Sequence, residues 1–129
     1  MTGNCKLLIE YCLKKNGAYE DYPFGDSVLC IKLKGRIFAQ FFYLKEKPKI
    51  TLKCEPDFGD FMKTQYPGAV VRGWHCPPNM QPYFITVDLD GAVPHAEILS
   101  MIDHAYFAVM KKLPRKLRDE VEAAGRNRN

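Results

Sequence analysis

Three short runs of β-branched and aromatic residues in the middle of the chain most constrain its fold. The runs cover residues 27–33, 36–44 and 49–54, and only the short polar segments 34–35 and 45–48 separate them. Connections this short join antiparallel strands, because a parallel pairing needs a crossover of about a dozen residues or more. The sequence therefore predicts a three-stranded antiparallel meander that turns at Lys34-Gly35 and again before Pro48.

Helical patterns flank this meander. Apolar side chains recur at three- and four-residue steps over residues 4–16 and again after Pro94, which predicts two amphipathic helices. The other predicted elements are helices after Glu55 and over 115–124, strands over 69–71 and 83–89, and a turn-rich loop over 19–26. This order predicts an α+β fold, an antiparallel β-sheet with helices packed mainly on one face.

Size and cysteine content limit the class of protein. A chain of 129 residues that is 47% hydrophobic predicts one domain over residues 1–124, followed by a frayed tail over 125–129. Its cysteines are irregularly spaced and include no CxxC pair, which argues against a disulfide framework and a structural zinc site. Neither a membrane-spanning apolar run nor a signal peptide is recognisable. We expect a cytoplasmic protein with reduced thiols, no metal and no cofactor, not associated with a membrane.

Positive charge is concentrated in the meander. Formal net charge is only +4, but segment 27–54 sets a series of lysines and an arginine against one acid, Glu46. Lysines on β-turns can contact phosphates and release counterions, which favours DNA binding through the backbone. Lysines on exposed strands also prevent sheets from associating, and the sequence does not decide between these interpretations. The candidate DNA contacts are Lys34, Arg36, Lys45, Lys47, Lys49 and Arg72, with Lys111, Lys112 and the bases of the last helix as secondary candidates.

The register of the first hairpin decides which lysines share a surface. A two-residue turn at Lys34-Gly35 places Lys32 opposite Ile37, and the next pair is Leu33 with Arg36. A slip of one residue would exchange the two faces of the sheet. The pattern therefore leaves open which cations lie together.

A second candidate site lies in the irregular segment 73–82, where an indole, an imidazole and a thiol are adjacent at Trp74, His75 and Cys76. Loops held by a rigid scaffold often carry binding sites. The competing interpretation is structural, with Trp74 covering the sheet edge and His75 bonded to a loop carbonyl. In the binding interpretation, a groove for a protein or a small molecule is lined by Tyr22, Phe24, Trp74, His75 and Tyr83.

The sequence offers little for catalysis. His95 and His104 lie about two and a half helical turns apart, on opposite sides of the predicted long helix, so they cannot share a metal. His104 is predicted on the polar face beside Asp103, as a solvated pair. No glycine-rich phosphate loop, HExxH or GxSxG motif is present. We therefore expect a protein that is not an enzyme.

Seven segments, in order along the chain, resemble the MmcQ/YjbR-like family. They are YPFG at 22–25, KGRIFA at 34–39, LKCEP at 52–56, YPGAV at 66–70, TVDLDGAVP at 86–94, IDHAY at 102–106 and LPRK at 113–116. The resemblance implies a CyaY-like, "double wing" α+β fold and a DNA-binding function that rests on shape. Segment 75–83 departs from the family pattern, because Cys76-Pro77-Pro78 is inserted after His75 and Tyr83 replaces a tryptophan.

Overall fold

Six strands pair antiparallel in one sheet in the computed structural model, which describes residues 3–126. The strands are β1 (Ala18–Asp21), β2 (Leu29–Leu33), β3 (Arg36–Leu44), β4 (Lys47–Lys53), β5 (Val70–Arg72) and β6 (Phe84–Asp88). Their order across the sheet is β1-β2-β3-β4-β6-β5. The predicted meander is therefore its centre, and the predicted α+β fold is confirmed.

Four helices complete the chain, namely α1 (Gly3–Leu13), α2 (Pro56–Gln65), α3 (His95–Met110) and α4 (Arg115–Arg126), with a short 3₁₀ helix at Gln81–Tyr83. All four contribute to one core cluster with the sheet, through Leu8, Met62, Ile102 and Val121 respectively. Strands β4 and β6 supply alternate residues such as Ile50 and Val87 to the same cluster. The helices therefore cover one face of the sheet and leave the other to loops.

The turn between β2 and β3 fixes the register that the sequence left open. Lys34 and Gly35 both have positive φ, 49° and 80°, as a two-residue type I′ hairpin requires. Lys32 pairs with Ile37 and Leu33 with Arg36, which is the first of the two predicted registers.

A β-bulge in β3 gives this strand two apolar faces. The pairing shifts between Ile31 and Lys32, so that Phe38 has no partner in β2. Phe38 and Ala39 are consecutive and both completely buried, and Phe38 makes an edge contact with Tyr106 of α3, 5.6 Å between ring centroids. Because the bulge inserts one residue, Ile37 lies on the face opposite Ala39. The bulge thus supplies an apolar residue to the face without helices.

The segment predicted as a loop over 19–26 begins with a strand. β1 pairs with β2 from Ala18↔Leu33 to Asp21↔Cys30. An edge strand with one partner and exposed central residues has no apolar alternation, so its sequence resembles a loop. Gly17, with φ of 78°, turns the chain out of α1 and into this strand.

His104 was also predicted wrongly, as a solvated residue beside Asp103. The imidazole is half-buried and stacks on Phe58 at 3.7 Å between ring centroids, and its Nε2 accepts the Glu55 backbone N–H at 3.0 Å. Asp103 instead accepts the Tyr11 hydroxyl at 2.7 Å and pairs with Lys15. His104 therefore connects α3 to the start of α2.

The remaining expectations from sequence concern the cysteines, membrane-spanning helices and the C-terminal tail. All five cysteines are free thiols, and only Cys76 is not fully buried. No helix within residues 3–126 is long and apolar enough to cross a membrane. Helix α4 continues to Arg126, two residues into the segment predicted as a tail, whereas residues 1–2 and 127–129 lie outside the described residues.

Candidate functional site

The sheet face without helices carries an apolar groove of about 460 Å³. Its floor is made by strand residues and its walls by the segments before β2 and after β5. Among the described residues that line it, only Gln40, Trp74 and His75 carry side-chain nitrogen or oxygen atoms. The other lining residues are Phe24, Val28, Ile37, Phe42, Trp74, Cys76, Pro77, Met80 and Phe84.

Trp74 forms a fixed wall of this groove. Its ring stacks on Phe42 of β3, with centroids 4.6 Å apart and planes inclined by 19°. Its backbone N–H donates to Thr86 Oγ1 at 2.8 Å, and that hydroxyl shares a 2.7 Å hydrogen bond with the Thr51 hydroxyl. Both threonines are buried, so the backbone of Trp74 is anchored to the sheet by a buried pair of hydroxyls that are themselves hydrogen-bonded.

The segment that follows Trp74 lies tightly against the sheet. The Gly73 N–H donates to the Phe84 carbonyl at 3.1 Å. A Cβ at Gly73 would lie 2.6 Å from Cys76 Sγ and 2.7 Å from Phe84 Cβ, so only glycine fits without a shift. Turn hydrogen bonds from Met80 and Gln81 to the Pro77 carbonyl, at 2.8 and 3.1 Å, close the segment on itself. His75 has a φ of 57°, which turns the chain directly after the indole.

Of the five groove residues named from sequence, Phe24, Trp74 and His75 line the groove. The Trp74 and His75 rings contact each other edge to face at 4.1 Å between centroids. Tyr22 and Tyr83 do not belong to it. Tyr22 is exposed next to Asp21. Tyr83 lies in the 3₁₀ helix and lines another hollow with Lys53 and Lys112.

The floor residues Ile37, Gln40, Phe42 and Phe84 were missed from sequence. A signal was present, because β3 is apolar at consecutive positions instead of alternating. A strand with apolar residues on both faces must cover both. Here the helices cover only one face of the sheet, and the loop after β5 covers only part of the other face.

The six candidate DNA contacts fall in three places instead of one patch. Lys34 and Arg36 are at the β2–β3 turn, and Lys45 and Lys47 are at the β3–β4 turn. These turns are at opposite ends of β3, about 26 Å apart at the rise of an extended strand. Lys49 and Arg72 line a hollow on the far side of Trp74.

Carboxylates offset part of this positive charge. Lys34 pairs with Glu120 of α4 at 3.1 Å. Lys49 pairs with Asp88, its cross-strand neighbour in β6. The structure therefore does not gather the predicted cations into a continuous strip for a phosphate backbone.

A different set of cations surrounds a hollow of about 350 Å³ at the end of the groove. Arg36, Lys53 and Lys112 line it, and Arg36 Nη1 donates to the Lys112 carbonyl at 3.2 Å. Lys53 Nζ lies 4.9 Å from the centroid of the Phe84 ring, over its face. Burial, and next the repulsion by Lys112 and Arg36, lower the pKa of Lys53. We call these three residues the cation cluster.

The groove contains a thiol, that of Cys76. Burial raises the pKa of this thiol, which is the direction that disfavours the thiolate. Within residues 3–126, no three His, Cys, Asp or Glu side chains are close enough to hold a metal ion. The arrangement can bind, through apolar contact at the groove and charge at the cation cluster.

Comparison with known proteins adds the family. The family model described as YjbR matches residues 13–108, which include the groove floor, the loop after β5 and the long helix α3 up to Ala108. The chain belongs to the YjbR family. The YjbR proteins of Escherichia coli K12 and O157:H7, both named as uncharacterized, are each 26% identical to it over 111 residues, or 86% of this chain and 91% of theirs.

Solved structures agree with this membership. A Deinococcus radiodurans protein with a DUF419 domain superposes with a TM-score of 0.82 at 25% identity, covering 92% of this chain and 87% of that one. A Pseudomonas syringae protein shares the fold with a TM-score of 0.63 at 18% identity, covering 81% of this chain and 96% of that one. The resemblance to the YjbR family seen in the sequence is confirmed.

Proposed function

We propose that this YjbR-family protein is a binding protein, without catalytic activity, that takes a small apolar or aromatic molecule into the groove beside Trp74. The observation that carries the proposal is an apolar groove that the fold leaves open. Its volume of about 460 Å³ lies in the range of small-molecule sites, roughly 300–1,000 Å³. Its few polar groups, on Gln40, Trp74 and His75, would orient the ligand.

The exposure of the groove residues supports the binding of an apolar ligand. Trp74 and Met80 are each 37% exposed and Phe24 is 65% exposed, although all three are large and apolar. Contiguous apolar surface is unfavourable in water by roughly 25 cal/mol per Å², so a ligand that covers it gains that free energy. Because Trp74 is already held by Phe42 and Thr86, little ordering cost opposes binding.

The groove contains its own reporter, because Trp74 is the single tryptophan of the chain. We expect N-phenyl-1-naphthylamine, a neutral aromatic probe, to bind with one-to-one stoichiometry and to quench the Trp74 emission. Phe24→Ala should weaken this affinity by about three- to tenfold, in keeping with the value of one aromatic contact. Phe61→Ala is the matched control, because Phe61 is 59% exposed and lies on α2.

A result in which the probe leaves Trp74 emission unchanged, or in which the two phenylalanine variants behave alike, would contradict the proposal. A second copy of the chain seated on the groove would show instead as a concentration-dependent mass in sedimentation. That outcome would also overturn it.

DNA backbone binding, the function implied by the family resemblance, is the competing proposal. Its best support is a group of four cations. Lys45 and Lys47 lie at the β3–β4 turn, and Lys49 and Arg72 line one hollow. Fluorescence anisotropy with a generic duplex should then show affinity that falls steeply with salt and is lost in a Lys45→Ala/Lys47→Ala/Lys49→Ala variant. Because these cations are divided between sites and Lys49 is paired, we expect weak binding that this variant does not change.

The free thiols support a reducing compartment such as the cytoplasm as the place where this protein works. A fusion to a fluorescent protein, followed by microscopy and fractionation, tests this. Recovery of bridged cysteines from the native protein would contradict it.

A further inference from the structure

The groove and the hollow of the cation cluster are neighbours that share part of their lining. Ile37, Met80 and Phe84 line both of them. Phe84 marks the junction, because its ring belongs to the groove and Lys53 Nζ lies over it at 4.9 Å from the centroid. A molecule that fills the groove next to Phe84 therefore ends beside an ammonium group.

The cation cluster has no carboxylate of its own. Within residues 3–126, Arg36, Lys53 and Lys112 form no ion pair, whereas the neighbouring Lys34 and Lys111 pair with Glu120 at 3.1 Å and Glu55 at 2.6 Å. Glu55, which lines the adjoining hollow with Lys53 and Lys112, is thus already engaged. The cluster instead relies on weaker partners, the Tyr83 ring at 5.0 Å from Lys53 Nζ and 5.1 Å from Lys112 Nζ, and the carbonyl that Arg36 contacts.

Three cations held close together repel one another. Glu55 is bonded to Lys111, which lowers the pKa of its carboxyl, and Lys112 helps to lower it. Burial is the largest cause that lowers the pKa of Lys53, and the charges of Lys112 and Arg36 act in the same direction. An anion in the hollow would remove the repulsion and accept hydrogen bonds from several donors at once. A neutral ligand would leave the repulsion in place.

From this juxtaposition we propose that the ligand of this protein is an amphiphilic organic anion, with its aromatic or aliphatic body in the groove and its carboxylate, sulfonate or phosphate at Arg36, Lys53 and Lys112. This inference rests on the proposed function of the groove. It narrows the ligand class from any apolar molecule to apolar acids. It also gives the cations at the β2–β3 turn and the end of α3 a role separate from DNA.

A pair of probes with the same aromatic skeleton tests the inference. 8-Anilinonaphthalene-1-sulfonate carries one sulfonate that N-phenyl-1-naphthylamine lacks. We expect the sulfonate to bind about tenfold more tightly at low salt, as a charge-assisted hydrogen bond allows, and this preference to shrink as salt is raised. The neutral probe should be indifferent to salt.

Variants separate the cation cluster from general positive charge. Lys53→Gln/Lys112→Gln should abolish the preference for the sulfonate while leaving the affinity for the neutral probe unchanged. Lys45→Gln/Lys47→Gln removes the same charge at the far end of β3 and should leave both affinities unchanged. Lys112→Gln alone changes only an exposed residue and should give an intermediate loss, which keeps the test available if the double variant is unstable.

The outcomes distinguish this inference from the proposed function. If neither probe binds, the groove proposal fails and the inference with it. If both probes bind equally, or if the two double variants affect the sulfonate equally, the groove proposal stands and the anion site is refuted. If the sulfonate binds without changing Trp74 emission and the neutral probe does not compete with it, the cluster binds anions without a link to the groove, and the inference is again wrong.

Discussion

Gly73→Ala tests whether the wall of the groove is set by close backbone approach. The added methyl would lie 2.6 Å from Cys76 Sγ and 2.7 Å from Phe84 Cβ. Non-bonded carbon atoms prefer separations of about 3.5–4.0 Å, so the segment must move by close to 1 Å. Phe84 Cβ is attached to the β6 backbone, and therefore the loop has to yield instead of the sheet. Overpacking of this kind costs about 1–3 kcal/mol.

We expect a fall in the melting temperature of roughly 4–12 °C for a chain of this length, measured by far-ultraviolet circular dichroism. Trp74 emission should shift to the red, because displacement of residue 73 separates the indole from Phe42. Affinity for N-phenyl-1-naphthylamine should fall in the same variant. A second substitution, Cys76→Ala, removes the contact with sulfur but not the one with Phe84, so the double variant should recover part of the lost stability. An unchanged melting temperature with unchanged emission would refute the reasoning.

Two further predictions concern the supports of the site and of the core. Thr86→Val leaves the Trp74 backbone N–H without its acceptor and the Thr51 hydroxyl without its buried partner. It should lower the free energy of unfolding in urea by about 1–3 kcal/mol and weaken binding of the neutral probe. An equal effect of Thr64→Val, at an exposed position, would contradict this role of Thr86. Burial lowers the pKa of His104, whose neutral Nε2 accepts the Glu55 N–H. The contribution of this imidazole to stability is therefore complete above about pH 6.5 and is lost as the pH falls through the pKa of His104 in the folded state. The free energy of unfolding should therefore fall more steeply from about pH 7 to pH 5 in the native protein than in His104→Asn. Equal slopes of unfolding free energy against pH would disprove this role of the imidazole.

The central meander was predicted well, because its signals lie in short segments of sequence. Short polar turns and positive-φ positions at Lys34-Gly35 specify hairpins without reference to the rest of the chain. Strand β1 was missed because its place depends on hydrogen bonds to β2 and not on its own apolar pattern. His104 was missed for a related reason, since the Phe58 ring that covers it lies far away in sequence.

The candidate site was predictable only in part. Trp74 stands out as the single indole in an irregular, proline-rich segment, and it does line the groove. One residue of the floor, Ile37, depends on the bulge at Phe38, which reverses its face and cannot be read from alternation. The cation cluster joins Arg36 and Lys53 to Lys112, residues that the sequence gives no reason to combine. Charge counting found the right residue types but not their grouping.

The central claim is that a ligand is held in the groove against Trp74. Chemical-shift mapping by heteronuclear NMR during a titration with N-phenyl-1-naphthylamine tests it most directly, because every described residue of the groove reports separately. We expect the largest shifts at the Trp74 indole N–H and at the methyl groups of Ile37 and Met80, with Phe61 and Phe107 unaffected. Shifts centred on those two exposed phenylalanines, or none at the indole, would contradict it.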